Sequence, residues 1–176
     1  MNIIRKVHPT DINLLKHIYG MICSLGKIEY RDLSFDTFLE CRDSVFIYID
    51  KCYEFSEYPV IDGFIACRQV VDDLKLTEGI TLYRRPNTVM YIIEAIHVIE
   101  CSSLKKYKKI MSELIESAIN NKNDAPVITY VSSNSKYISD TDLVSTLEKC
   151  GFIEGSCYNC VFTFVRPPKT CVNKSN

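Results

Sequence analysis

An apolar run from Met90 to Ile99, with Glu94 inside it, leads through Ser102-Ser103 into Leu104, Tyr107, Ile110, Met111, Leu114, Ile115 and Ala118. The run reads as the strongest strand of the chain, and the residues after it recur at i, i+3 and i+4, the spacing of an amphipathic helix about four turns long. A strand that feeds directly into such a helix lays the helix on a sheet, so an α/β architecture is expected.

The flanking segments extend that pattern. Ile3 to Lys6 reads as a short strand. Pro9-Thr10-Asp11 opens a helix whose apolar positions are Leu14, Leu15, Ile18, Tyr19 and Ile22. Ser34 opens a second helix running to about Arg42. Val45 to Ile49 and Val60 to Cys67 read as two strands of an antiparallel hairpin. The charged stretch from Val71 to Asn87 reads as an extended hairpin or loop. After the central helix come a strand from Val127 to Val131, a helix from about Asp140 to Lys149 that stops at Gly151, and a last strand region from Cys157 to Val165. The predicted order is β-αα-βββ-α-β-α-β, without repeats or linkers.

A length of 176 residues fits one domain, expected over residues 1–176 with a flexible tail from about 167. Apolar residues make up 47% of the chain, enough to bury a core and to exclude a disordered composition. The run from Val89 to Ile99 falls short of the ~18–20 residues of a membrane span. The first residues, Met1 to Lys6, lack the features of a secretory signal, so a cytoplasmic location is expected. A net charge of −1 sets up no field that would gather nucleic acid or an anionic membrane, and neither is an expected partner. The cysteines number nine, an odd count, and most lie inside apolar segments, as buried thiols do. Cys157-x-x-Cys160, with Cys150 and Cys171 nearby, lacks the two tight pairs of a zinc ribbon, so no metal is expected.

Several segments carry a family resemblance. The element order resembles the GNAT fold, a mixed, mostly antiparallel central sheet flanked by helices. Leu147-Glu148-Lys149-Cys150-Gly151-Phe152 looks like that superfamily's helix-to-strand ending. Tyr91-Ile92-Ile93-Glu94-Ala95-Ile96-His97-Val98 resembles the I-E-D-I-x-V strand of the glucosamine-6-phosphate N-acetyltransferases, and Thr10 through Ile28 resembles their first helix and the turn after it. The resemblance implies transfer of an acetyl group from acetyl-CoA to the 2-amino group of glucosamine 6-phosphate, by a homodimer.

By that resemblance, Ile96, His97 and Val98 lend backbone groups to the pantetheine and thioester. The helix start, Ser103, Leu104, Lys105, Lys106, Tyr107 and Lys108, receives the pyrophosphate, and Asn134 completes the acetyl-CoA contacts. A helix N-terminus suits this task because its unpaired N–H groups and dipole favour an anion. The family's glycines are missing there, and the lysines of the segment Lys105 to Lys109 are expected to compensate. Amide formation needs a neutral amine, an acceptor for its proton and stabilisation of the oxyanion. Glu94 is the first choice, since a carboxylate in an apolar strand is costly unless paired or used. Its alternative role is a structural ion pair.

Ala95 replaces the family's neighbouring aspartate, Tyr130 another aspartate, and Leu147 a tyrosine near the departing thiolate. Tyr130, Tyr137 or Ser132 is then left to handle protons or sugar contacts. Ser24 and Arg166 match the family's phosphate contacts, Arg166 acting across the dimer. Two rival readings stand beside this one. The first is a protein N-terminal acetyltransferase using Tyr91, and the second is a GNAT-like binding protein without catalysis.

Overall fold

The structure is a computed structural model that describes residues 1–27, 30–71, 89–99, 103–120, 122, 124–132, 139–158 and 160–168. It contains strands β1 (Asn2–Lys6), β2 (Val45–Asp50), β3 (Ile61–Val71), β4 (Val89–Val98), β5 (Val127–Ser132), β6 (Ile153–Tyr158) and β7 (Val161–Arg166). Its helices are α1 (Ile12–Leu25), α2 (Phe35–Leu39), α3 (Leu104–Ile119) and α4 (Ser139–Lys149). The strands form one seven-stranded sheet in the order β1-β2-β3-β4-β5-β7-β6. Every neighbouring pair is antiparallel except β4 and β5, which run parallel.

Local chemistry explains the helix ends. The Asp11 carboxylate accepts from Leu14 N–H at the start of α1, and Gly26 closes that helix in the left-handed conformation at φ 60°, which glycine adopts without a Cβ clash. Ser34 and Ser103 cap α2 and α3 in the same way as Asp11, accepting from Thr37 and Lys106 N–H. One apolar cluster joins α3 and α4 to one face of the sheet, through Ile110, Leu114, Ile115, Leu143 and Leu147 against Ile65, Ile93, Ile96 and Val131. A second cluster joins α1 and α2 to the other face, through Leu15, Ile18, Ile22 and Phe38 against Ile47, Phe64 and Ala95.

Three sequence expectations are corrected. α2 ends at Leu39 rather than near Arg42, because the chain tightens into a 3₁₀ turn at Arg42–Ser44 that buries Cys41 one turn after Phe38. β3 runs on past Cys67 to Val71, pairing with the first half of β4. The last strand region is two strands, and the first of them escaped notice because residues 153–157 are all exposed and carry no apolar alternation. The expected loop at 71–87 and the expected tail fall almost wholly outside the described residues. Among the described residues, no helix is long and apolar enough to cross a membrane.

Candidate active site

The parallel pair at the centre of the sheet separates partway along. β4 and β5 are in register at Tyr91–Val127, Ile92–Ile128 and Ile93–Thr129, and there the pairing stops. β4 nevertheless continues to Val98 and β5 to Ser132, so a gap opens between their C-terminal halves. The point of parting coincides with a bulge. Opposite β4, Ala66 faces Ala95 and Cys67 faces Ile93, which leaves Glu94 as the extra residue.

The bulge decides which backbone groups face the gap. Before it, Tyr91 N–H donates to Pro126 O on the β5 side at 3.0 Å. Beyond it, Ile99 N–H donates to Asp62 O on the β3 side at 2.9 Å. Strand alternation then turns the amide and carbonyl of His97 to β3, and those of Ile96 and Val98 into the gap. Of the three backbone contacts expected from sequence, two therefore face the gap; the third, at His97, turns to β3, and the His97 ring lies on the sheet face that carries Phe64, at 6.0 Å between centroids.

Glu94 projects to the face away from α3, where it bonds the Arg68 guanidinium; Arg68 also bonds Glu40, at the end of α2, at 3.0 Å. Arg68 and Glu94 are 16% and 14% exposed and Glu40 is 57% exposed, so the chain of charges runs from the edge of the gap out to solvent. Tyr130 stands half-buried beside it on β5. Burial, and then the charge of Glu94, push its phenol up, with Arg68 partly offsetting them. Ser132, at the end of β5, is buried.

At the mouth of the gap, the Ser103 hydroxyl spends one first-turn amide of α3 on itself. Leu104, in the segment that lacks the family's glycines, is 54% exposed, so its side chain turns out to solvent. Lys105 and Lys106 are exposed there. Lys108 pairs with Asp142 at 3.1 Å and Lys109 with Glu113 at 3.7 Å, while Tyr107 is buried in the core. Ser24 and Arg166 are not brought together. The exposed Ser24 hydroxyl donates to Met21 O at 2.7 Å. Arg166 pairs in register with Val127, at the end of β5 remote from the gap, and lines a groove of about 560 Å³ with Glu113 and Glu116. β7 lies between β5 and β6 of its own sheet. Tyr137 and Asn134 lie outside the described residues. Among the described residues, no group of three or more His, Cys, Asp or Glu side chains is placed to hold a metal ion.

No family model matches the chain, and no curated protein does. Solved structures do. Arabidopsis thaliana NAA60 in complex with acetyl-CoA superposes with a TM-score of 0.60 over 94% of this chain and 97% of that one, at 12% identity. An acetyltransferase of the GNAT family from Streptococcus agalactiae 2603 covers 94% of each chain with a TM-score of 0.53, at 10% identity. The fold is the GNAT fold. A chain of the NatC complex bound to Gag peptide and CoA shares it, with a TM-score of 0.56 over 94% of this chain and 98% of that one, at 17% identity. The parted strands and the bulge at Glu94 thus belong to a GNAT sheet.

Sequence reasoning missed Arg68, Glu40 and Tyr30 as members of this site. Arg68 follows an apolar run and Glu40 ends a short helix, so neither carries a motif. A lone charge on the strand next to Glu94 was the available signal, because a buried carboxylate requires a partner. Tyr30 sits between α1 and α2, where no periodicity marks it; its hydroxyl bonds both backbone groups of Ile96.

Proposed function

We propose that this protein is an N-acetyltransferase that moves the acetyl group of acetyl-CoA to an amine. The observation that carries the proposal is the end of β4–β5 pairing at Ile93 and Thr129 while both strands run on, because it leaves strand-edge backbone groups turned into an open cleft. An extended pantetheine arm with two amides is a natural partner for such an edge. The Val98 amide and carbonyl would take the arm, and the Ile96 N–H would polarise the thioester carbonyl. The start of α3, with Lys105 and Lys106, suits the pyrophosphate. The likeness to NAA60, solved with acetyl-CoA, supports the same assignment. The amine nitrogen would attack the thioester carbon, the C–S bond would break, and CoA would leave as thiolate. The proton shed by the nitrogen would pass to Glu94 directly or through water, and Tyr130 lies close enough to the same charges to share in proton handling.

For the acceptor, the charges around Glu94 favour an amine that arrives as a cation and carries no phosphate. Glu40 and Glu94 together exceed the single Arg68 they share, so this group of three carries a net negative charge. A peptide N-terminus has this chemistry, although Tyr91 itself points to the α3 side and packs there. The second reading is glucosamine 6-phosphate, favoured by the resemblance of Tyr91 to Val98 and of Thr10 to Ile28. Since Arg166 of the same chain is remote from the gap, this reading needs a homodimer in which a second copy supplies the phosphate contact. A CoA-release assay with glucosamine 6-phosphate, glucosamine and a Met-starting peptide separates the two. Turnover of the peptide alone supports the first acceptor and turnover of the phosphorylated sugar alone the second. Absence of turnover and of acetyl-CoA binding would sink the enzyme reading and leave a binding protein.

A further inference from the structure

The cleft is not empty at the position that matters most for the chemistry. Tyr30 reaches in from the connection between α1 and α2. Its hydroxyl donates to Ile96 O at 2.8 Å and accepts from Ile96 N–H at 3.2 Å. These are the gap-facing groups of the first residue past the bulge so oriented, and no strand among the described residues pairs with them. An unpaired strand edge is costly when water is scarce, and a phenol is one of the few side chains able to donate and accept with a single atom. Turn bonds hold the Tyr30 backbone, with its N–H donating to Lys27 O at 3.1 Å and Leu33 N–H donating to Tyr30 O at 3.2 Å. The Lys27 ammonium lies 5.7 Å from the ring centroid.

We propose that the Tyr30 hydroxyl oxygen occupies the site of the thioester carbonyl oxygen, which makes Tyr30 an intramolecular competitor for the acyl group. The proposal rests on the acetyl-CoA reading above. As acceptors of one N–H the two oxygens are equivalent, and they cannot share the 3 Å of space beside Ile96 N. Binding of acetyl-CoA therefore exchanges both Tyr30–Ile96 bonds for one thioester–Ile96 bond, with no net gain from that donor. Val98, the next residue to face the gap, lies about 7 Å further along the strand. CoA without an acyl group engages the edge there and needs no change at Tyr30. Tyr30 thus sets how strongly the site prefers acetyl-CoA over CoA.

Titration calorimetry of the wild type and of Tyr30→Phe with acetyl-CoA and with CoA tests this. Loss of the hydroxyl is expected to tighten acetyl-CoA about fivefold to tenfold while CoA changes less than twofold. Equal acetyl-CoA affinity in the two proteins, or weaker binding by the variant, would overturn the proposal while leaving the enzyme reading intact; failure of both proteins to bind either ligand would remove both. A measurement on the wild type alone guards against a variant that folds poorly. The Tyr30 ring resonances should shift on addition of acetyl-CoA and stay in place with CoA, and a ring that ignores acetyl-CoA at saturation would count against the proposal.

Discussion

The Arg68 guanidinium bonds the Glu94 carboxylate from the strand beside it, at the residue where β4 bulges. Because both groups are largely buried, removing either leaves the other short of a partner in a poorly solvated place. Glu94→Gln and Arg68→Gln are each expected to destabilise the fold by about 1–3 kcal/mol, with a coupling energy near 1 kcal/mol or more in a double-mutant cycle. Denaturant unfolding of the four proteins measures it. Additive losses would show that the pair does not hold together in solution.

The same carboxylate is the one we propose takes the amine's proton. Glu94→Gln keeps the shape of the side chain but removes its charge and basicity, so kcat for acetyl transfer should fall about 10²-fold. Affinity for acetyl-CoA should stay within about twofold, since Glu94 projects away from the α3 side of β4. A variant with unchanged kcat would confine Glu94 to a structural role.

Charge reversal at the start of α3 separates lysines by their surroundings. Lys105→Glu and Lys106→Glu are expected to weaken acetyl-CoA binding about tenfold at low salt, with the difference shrinking as salt rises. Lys109→Glu should matter less, as Lys109 already serves Glu113 one turn on. Fluorescence titration across a salt series reads this, and equal losses at all three positions would argue for a diffuse field rather than a site.

Two buried thiols make the fold sensitive to alkali. Burial, and then the Glu94 charge, push the Cys41 thiol far above its ordinary value of 9.0, and burial pushes Cys67 the same way against the pull of Lys122. The folded state keeps protons that the unfolded chain gives up, so their contribution is complete below about pH 9 and declines as pH rises beyond it. Each thiol adds at most about 1.4 kcal/mol per pH unit to that decline. Denaturant midpoints between pH 8 and 10.5 should fall, and Cys41→Ala should fall less steeply than the wild type. Parallel slopes would contradict the assignment.

At Gly63 the side chains of α3 pack directly against the sheet. A Cβ there would stand 3.1 Å from His97 O and 3.3 Å from Leu114 Cδ1. Gly63→Ala is expected to cost about 1–3 kcal/mol by forcing the helix and β4 apart, read as a lower melting temperature. A neutral effect would mean that Leu114 yields and the helix seat is loose.

The sequence on its own determined the elements, because a strand or helix is written in the period of its apolar residues and in its caps. The run from Met90 to Ile99 and the face from Leu104 to Ala118 were legible for that reason, as were Asp11, Ser34 and Ser103. Strand β6 was not, since an exposed edge strand has no buried face to impose an alternation. Glu94 was legible as a carboxylate out of place among apolar neighbours. Its partner was not, because the link from Glu94 through Arg68 to Glu40 joins residues 26 and 28 positions apart that only strand pairing and the seat of α2 bring together. The separation of Ser24 from Arg166, the turning of Ile96 and Val98 into the gap, and the occupation of that gap by Tyr30 were likewise decided by the tertiary structure. Backbone direction at a bulge depends on the register of the neighbouring strand, a non-local quantity that no periodicity in a single segment encodes.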